Sequence, residues 1–343
     1  MQQTEEINRC IVLASRPQGR VESSNFRLEQ RPIPALAEGQ VLLRTLMLSL
    51  DPYMRSRMSD APSYAQSVAV DGVMCGATVS RVAASSNPRF KQGDLVLAQS
   101  GWQDYELSDG RGLLALDATA ASPSHSLGVL GMPGFTAFVG LLDIGNPQPG
   151  ETVVVAAATG AVGSVVGQIA RIKGCRIVGI AGGDEKCAFA IDQLGFDACI
   201  THHAPDFAQQ LAAACPKGID VYFENVGGAV FDAVLPLLNV FARIPLCGLI
   251  SRYNVAPAPA TDDTLMAAQT QLLIKRVRMQ GFIISDHYAT RYAEFRTTMS
   301  GWLRDGLMRY REDVLEGLEN APQAFMGLLQ GYNFGKLLIK IAE

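Results

Sequence analysis

The order of apolar and polar positions divides the chain into three stretches of different rhythm. Up to about residue 118, short apolar runs alternate with polar positions and stop at turn residues. Residues 9–14, 26–30, 40–49 and 95–99 read as strands, the last two entered from Glu38-Gly39 and Gly93-Asp94. Pro32, Pro34, Pro52, Pro62 and Pro88 punctuate this stretch, so a β-rich domain or barrel is expected there.

From about Gly131 the rhythm changes. Runs rich in β-branched residues at 152–157, 176–181, 198–201, 220–224, 242–247 and 278–284 predict strands. Helical patterns at 162–173, 185–194, 207–214 and 229–240 separate the first five. Strand, helix, strand repeated in this way predicts a parallel sheet with crossover helices. After about Tyr288 the pattern shifts again, to helices at 291–305 and 319–330 and a last short strand at 336–341. No internal repeat or low-complexity tract occurs.

Composition narrows the function classes. A chain of 343 residues is long enough for two domains, and 48% apolar with 18% charged residues suits a globular protein. The net charge is −4 and no Lys/Arg-rich block stands out, which argues against nucleic acid and acidic membrane as partners. The start, Met1-Gln2-Gln3-Thr4-Glu5-Glu6, lacks the pattern of a signal peptide, and the most apolar stretch, 153–166, is too short and glycine-rich to span a bilayer. A cytoplasmic location is therefore expected. Seven cysteines, without a C-x-x-C, give little support to a disulfide framework or structural zinc, and most are expected to be buried apolar residues.

The chemistry-bearing motif follows the first strand of the alternating stretch. Ala158-Thr159-Gly160-Ala161-Val162-Gly163-Ser164 leads into a helix through Val165, Val166, Ile169, Ala170 and Ile172. Small residues at such a turn let the backbone approach a pyrophosphate, and the helix start offers free N–H groups and a partial positive charge. Ala158 stands where the first glycine of the fingerprint would be. The placement, after a strand and before a helix, makes a dinucleotide site the preferred reading over a ligand-free tight turn. An NAD site usually ends its second strand in an acid that binds the ribose hydroxyls. Here that strand ends in Ala181-Gly182-Gly183, and Asp184 comes three residues late, followed closely by Lys186. Loss of the carboxylate removes repulsion of a 2′-phosphate, and Lys186 supplies opposite charge, so NADPH is expected. The plainer alternatives are a solvated Lys186 and an Asp184 that caps its helix, the latter being preferred.

Several motifs in this order carry a family likeness. The chain resembles the zinc-independent medium-chain dehydrogenase/reductase superfamily, and within it the prostaglandin reductase or leukotriene hydroxydehydrogenase group with its bacterial curcumin-reductase-like relatives. The resemblance covers essentially the whole chain. It is carried by Leu50-Asp51-Pro52-Tyr53-Met54-Arg55, by Gly131-Met132-Pro133-Gly134-Phe135-Thr136-Ala137 and by the A-x-x-G-x-x-G-S turn ending at Ser164. Phe223-Glu224-Asn225-Val226-Gly227-Gly228, Cys247-Gly248-Leu249-Ile250-Ser251-Arg252-Tyr253-Asn254, Gln280-Gly281-Phe282-Ile283-Ile284 and Asn333-Phe334-Gly335-Lys336 complete it. The implied fold class is α/β: a GroES-like β-barrel domain from residues 1–130 and 288–343 around a Rossmann doubly wound parallel sheet at 131–287. The resemblance also implies that NADPH is bound by Gly160, Ala161, Val162, Gly163 and Ser164, by Lys186 and Asn225, by Cys247, Gly248, Ile250, Ser251 and Tyr253, by Phe282, Ile283 and Ile284, and by Asn333. Many relatives carry a tyrosine near the adenosine phosphate where this chain has His202, which is counted among the cofactor-binding residues because it can bond a phosphate when protonated. A homodimer through the Rossmann sheet edge is implied by analogy.

Zinc members of the superfamily place a cysteine ligand in the segment corresponding to 49–55 and a Gly-His-Glu motif near 73–76. Here those places hold Asp51, Pro52, Tyr53, Met74 and Cys75, and His125, His202, His203 and His287 lie elsewhere, so no metal site is expected. Without a Lewis acid, alcohol oxidation is disfavoured, and reduction of an activated C=C bond is easier to arrange. Hydride adds to the β-carbon of an enone or enal, charge moves to the carbonyl oxygen, and a proton must reach the α-carbon. Tyr253 is the leading proton-donor candidate, with cofactor packing alone as its alternative. Tyr53 is assigned to substrate binding, and Asp51 with Arg55 to a local ion pair. The expected small-molecule substrate is an α,β-unsaturated carbonyl compound, in a pocket shaped by loops 54–74 and 254–264. An NADPH-dependent quinone reductase is the second reading, and a non-catalytic NADPH-binding protein the third.

Overall fold

The computed structural model describes residues 7–117, 122–255 and 262–343, so the acidic start, the Pro257/Pro259 loop and the middle of loop 254–264 lie outside the described residues. The chain forms two compact units, Met1–Gly128 with Glu312–Glu343, and Val129–Arg311.

Strands from both chain ends build the first unit. Its seven-stranded mixed sheet runs, in spatial order, Glu312–Glu316, Lys336–Lys340, Val41–Ser49, Thr78–Ser85, Leu95–Ala98 and Leu114–Ala115, with Tyr105–Ser108 also paired to Val41–Ser49. A separate antiparallel pair joins Ile7–Leu13 to Phe26–Pro32. Val41 and Leu43 of the strand Val41–Ser49 are fully buried at the period of two that a half-buried strand requires, and a register shift between Thr45 and Met47 moves the buried phase to Leu46 and Leu48. Phe26 stacks on Trp102 at 5.5 Å, and Phe325 meets the indole edge-on at 5.8 Å. Phe325 belongs to the helix Ala321–Leu328.

The second unit holds a six-stranded parallel sheet. In chain order its strands are β1 (Thr152–Ala156), β2 (Arg176–Ala181), β3 (Ala198–Thr201), β4 (Ile219–Phe223), β5 (Leu238–Leu246) and β6 (Arg278–Gly281). In space they lie 3-2-1-4-5-6, the doubly wound order whose direction reverses between β1 and β4. Every residue of β1 is buried, as expected for a central strand covered on both faces. The α/β class, with one mixed-sheet unit and one Rossmann sheet, is as expected.

Three features depart from the sequence pattern. The expected helix at 229–240 stops at Val234, because Pro236 sits in a following 3-10 turn and β5 begins at Leu238. The helix Tyr288–Arg304 falls in the second unit, so the unit boundary comes at 311/312 rather than 287/288. It is held there by aromatic contacts, with Phe135 5.0 Å from Tyr288 and 5.0 Å from Phe295. Of the seven free thiols, Cys10, Cys187 and Cys215 are buried and the other four only half-buried. Among the described residues, no helix is long and apolar enough to cross a membrane.

Candidate functional site

The turn after β1 is tight for a steric reason. Ala157 adopts the left-handed conformation, φ 53°, and its carbonyl oxygen accepts the Gly160 N–H at 2.9 Å. A methyl group on Gly163 would lie 2.2 Å from that same oxygen, so only glycine admits the helix start this close. Ala158, where the fingerprint has its first glycine, is fully buried and bonds Ile180 O from its own N–H. The left-handed residue is Ala157, one position earlier. The helix Gly163–Ile172 then begins, with Ser164 N–H on Gly160 O at 3.0 Å. Gly167 supplies close packing further along, since a methyl there would meet the Phe196 ring at 2.0 Å. A ligand phosphate at this helix start would meet unpaired amides and a partial positive charge.

At the carboxyl end of β2 the structure brings Gly182, Lys186 and His202 together. His202 Nδ1 lies 2.8 Å from Ala181 O, and its ring lies 4.0 Å from that of His203. A carbonyl only accepts, so Nδ1 carries the proton. Burial lowers the His202 pKa, and the neighbouring His203 and Lys186 charges add to this against the Ala181 bond. Its Nε2 is therefore an acceptor at neutral pH, a poor partner for phosphate. Lys186 is half-buried on the helix Asp184–Asp192. Asp184 does not cap that helix: it is the first helical residue, Gly183 is the cap, and no side-chain cap bond forms. An adjoining cleft of about 510 Å³ is lined by Gly183, Asp184, Thr201, His203, Asp206 and Gln210.

At the switch point, Asn225 Nδ2 donates to Ala156 O at 2.8 Å and so spans the carboxyl ends of β4 and β1. The segment after β5 is tied to the turn after β4. Cys247 and Gly248 donate their N–H groups to Glu224 O at 3.0 and 3.1 Å, Ile250 N–H to Asn225 O at 3.2 Å, and Ser251 N–H to Val226 O at 3.1 Å. Burial pushes the Cys247 thiol up to about 12. Tyr253 follows the 3-10 turn Ile250–Arg252, and its hydroxyl lies against Gly248, 3.3 Å from where a methyl on that glycine would be. Phe282 packs on Gly140, and Ile283 leads into the 3-10 turn Ile284–His287.

Tyr53 and Asn333 belong to the first unit. Tyr53 precedes the helical turn Met54–Arg57, accepts the Ser56 hydroxyl on its carbonyl at 2.7 Å, and lies under the Arg57 guanidinium at 5.7 Å. Burial, with the Asp51 charge behind it, holds its phenol well above the ordinary value. Asn333 Nδ2 bonds Gly335 O at 2.8 Å, just before the strand Lys336–Lys340. Asp51 and Arg55 are not the expected local pair. Asp51 binds Lys336, and Arg55 donates to Gly19 O at 2.8 Å. Lys336 and Glu224 are charged residues beside apolar runs, and local sequence alone gives neither of them a role. Among the described residues, no group of three or more His, Cys, Asp or Glu is placed to hold a metal ion.

Comparison with known proteins identifies the family. Residues 9–116 match a family model described as the N-terminal domain of oxidoreductase, and residues 161–302 one described as zinc-binding dehydrogenase. The chain is 59% identical over 342 residues to the NADPH-dependent curcumin reductase of Escherichia coli (strain K12), covering 100% of this chain and 99% of that one. Prostaglandin reductase 1 of Rattus norvegicus is 42% identical over 322 residues, covering 92% and 94%. The crystal structure of CurA in complex with NADPH from Vibrio vulnificus matches with a TM-score of 0.95 at 60% identity, covering 98% of this chain and 99% of that one. The chain belongs to the medium-chain dehydrogenase/reductase superfamily, in the zinc-independent group of the curcumin and prostaglandin reductases.

Proposed function

We propose that the protein reduces the C=C bond of α,β-unsaturated ketones and aldehydes with NADPH, by hydride transfer to the β-carbon and without a metal. The observation that carries this reading is the cradle at the switch point of the second unit. The backbone closes on itself between Ala157 and Gly163, and Asn225 reaches across to Ala156 beside it. Ligands of doubly wound sheets bind at this place. The neighbouring relatives are reductases, two of them named or titled with NADPH.

Bound NADPH supplies the hydride. In this reading, the turn at 160–164 holds the pyrophosphate through the amides of 161–163, and Lys186 sets a positive charge against the 2′-phosphate. The segment 247–253 with Phe282, Ile283 and Ile284 borders the nicotinamide half, and Asn333 is counted among the cofactor residues. Tyr253 donates a hydrogen bond to the carbonyl oxygen as charge builds on it, and is the proton source for the product. Tyr53 binds the substrate.

A homodimer through the edge of the parallel sheet is part of the proposal. All four residues of the edge strand β6 are exposed. Phe241, Leu273 and Ile274 stand 64%, 75% and 54% exposed. A bare edge with large apolar side chains favours association with another strand.

NADPH oxidation measured across a panel of enals, enones, quinones and nitroalkenes tests the assignment. Turnover of enals or enones is expected. Turnover confined to quinones would replace it with a quinone reductase, and NADPH binding without any turnover would leave a binding protein.

A further inference from the structure

Glu224 is an acid at the end of an apolar strand. It follows Tyr222 and Phe223 directly and is fully buried. Its Oε1 accepts the N–H of Val226 at 2.6 Å and of Gly227 at 2.8 Å. Burial raises its pKa against the pull of these two amides. Tyr222 is buried close enough to feel the carboxylate charge, but its hydroxyl makes no well-formed hydrogen bond to it. Apolar packing alone gives no reason for a carboxylate here. The two amides give one, because a buried donor without an acceptor carries its full desolvation cost.

The braced turn holds a second segment. Gly227 and Gly228 have φ of 75° and 58°. A methyl on Gly227 would meet the Leu249 side chain at 2.9 Å, and one on Gly228 would meet Ser251 Oγ at 3.3 Å. The carbonyls of Glu224, Asn225 and Val226 carry the amides of Cys247, Gly248, Ile250 and Ser251 in succession. Displacing the turn therefore displaces the segment that ends in Tyr253.

We infer that Glu224 is a positioning residue for the hydride-transfer site: its carboxylate oxygen fixes the turn at 225–228, and through that turn holds the 247–253 segment and Tyr253 in place. The inference rests on the reading of the second unit as the NADPH-binding unit. Its test combines amide hydrogen exchange of the cofactor-free protein with NADPH affinity and enone kinetics, on the full chain. E224Q keeps an acceptor oxygen at the same reach. It should retain the protection of Val226 and Gly227, the NADPH affinity and kcat, each within about two-fold. E224L fills the volume without an acceptor. It should lose protection at both amides, weaken NADPH and lower kcat at saturating NADPH, each by about ten-fold or more. E224D, whose carboxylate is one methylene shorter, should change in the same direction as E224L and carries the test if E224L does not fold. Unchanged NADPH affinity and kcat in the folded E224L or E224D variant would overturn the inference, as would E224Q falling as far as they do. Absence of enone turnover in the unsubstituted protein would count against the proposed reaction, while exchange and NADPH affinity would still decide the role of Glu224.

Discussion

Lys336 Nζ lies 2.9 Å from Asp51 Oδ1, across 285 positions of sequence and with both side chains buried. The ammonium also donates to Leu50 O at 2.7 Å and Leu337 O at 3.2 Å, so three oxygens meet its three protons. The Ser49 hydroxyl donates to the other carboxylate oxygen of Asp51. Burial lowers the Lys336 pKa, and the Asp51 charge opposes that. The turn that carries Tyr53 is thereby tied to the C-terminal strand within the first unit.

Lys336→Met should be strongly destabilising, because it leaves the Asp51 carboxylate buried without a countercharge. Breaking one side of such a pair costs about 3–5 kcal/mol. Urea unfolding checks this, and Asp51→Asn combined with Lys336→Met should recover part of the loss. A single variant as stable as the parent would show that the pair contributes little.

Tyr253→Phe should lower kcat for enone reduction by up to ~10²–10³-fold while NADPH still binds, since the proposed oxyanion donor is removed. Steady-state kinetics with a small enone decide it. Unchanged turnover would mean that Tyr253 is not the required acid.

Lys186→Ala should weaken NADPH and leave NADH almost unaffected, because the proposed role of its charge is to oppose the 2′-phosphate that NADH lacks. Binding titrations with both cofactors read this directly, and equal losses would sink the assignment. His202→Ala should have a smaller effect than Lys186→Ala near neutral pH, as the ring is neutral there and its Nδ1 proton is engaged by Ala181 O.

Glu151 and Arg243 make a two-pronged ion pair, with contacts of 2.5 and 3.0 Å. Burial raises the Glu151 pKa, but the bonds from Arg243 and the Gln148 amide outweigh it, so the net shift is downward from 4.5. A carboxyl lowered on folding favours the folded state above its unfolded value, and that contribution is lost as pH falls through the folded value. The Tm difference between the parent and Glu151→Gln should therefore be largest above pH 4.5 and shrink toward zero below it. A gap that is constant with pH would contradict this.

Local patterns were legible without coordinates wherever the cause lies within a few residues. The turn residues Glu38-Gly39 and the apolar run after them marked Val41–Ser49, and the strand–helix rhythm marked β1 to β5. The missing acid after β2 and the small residues at 160–164 needed only turn chemistry and charge. The break at Pro236 was also written locally, but the apolar run around it matched a helix as well as a strand.

What the chain determined by itself is thus its sequence of elements, the glycine turn at Gly160 and Gly163, and the family to which it belongs. Tertiary structure alone decided which side chains meet. Asp51 had Arg55 four residues away, yet it pairs with Lys336, because antiparallel pairing of Lys336–Lys340 with Val41–Ser49 brings that ammonium into the same buried space. The helix Tyr288–Arg304 joined the second unit through Phe135, and Glu224 acquired its two amides only when the turn after β4 closed over it. Periodicity is a property of a short window, whereas the partner of a buried charge depends on which distant strand the fold sets beside it.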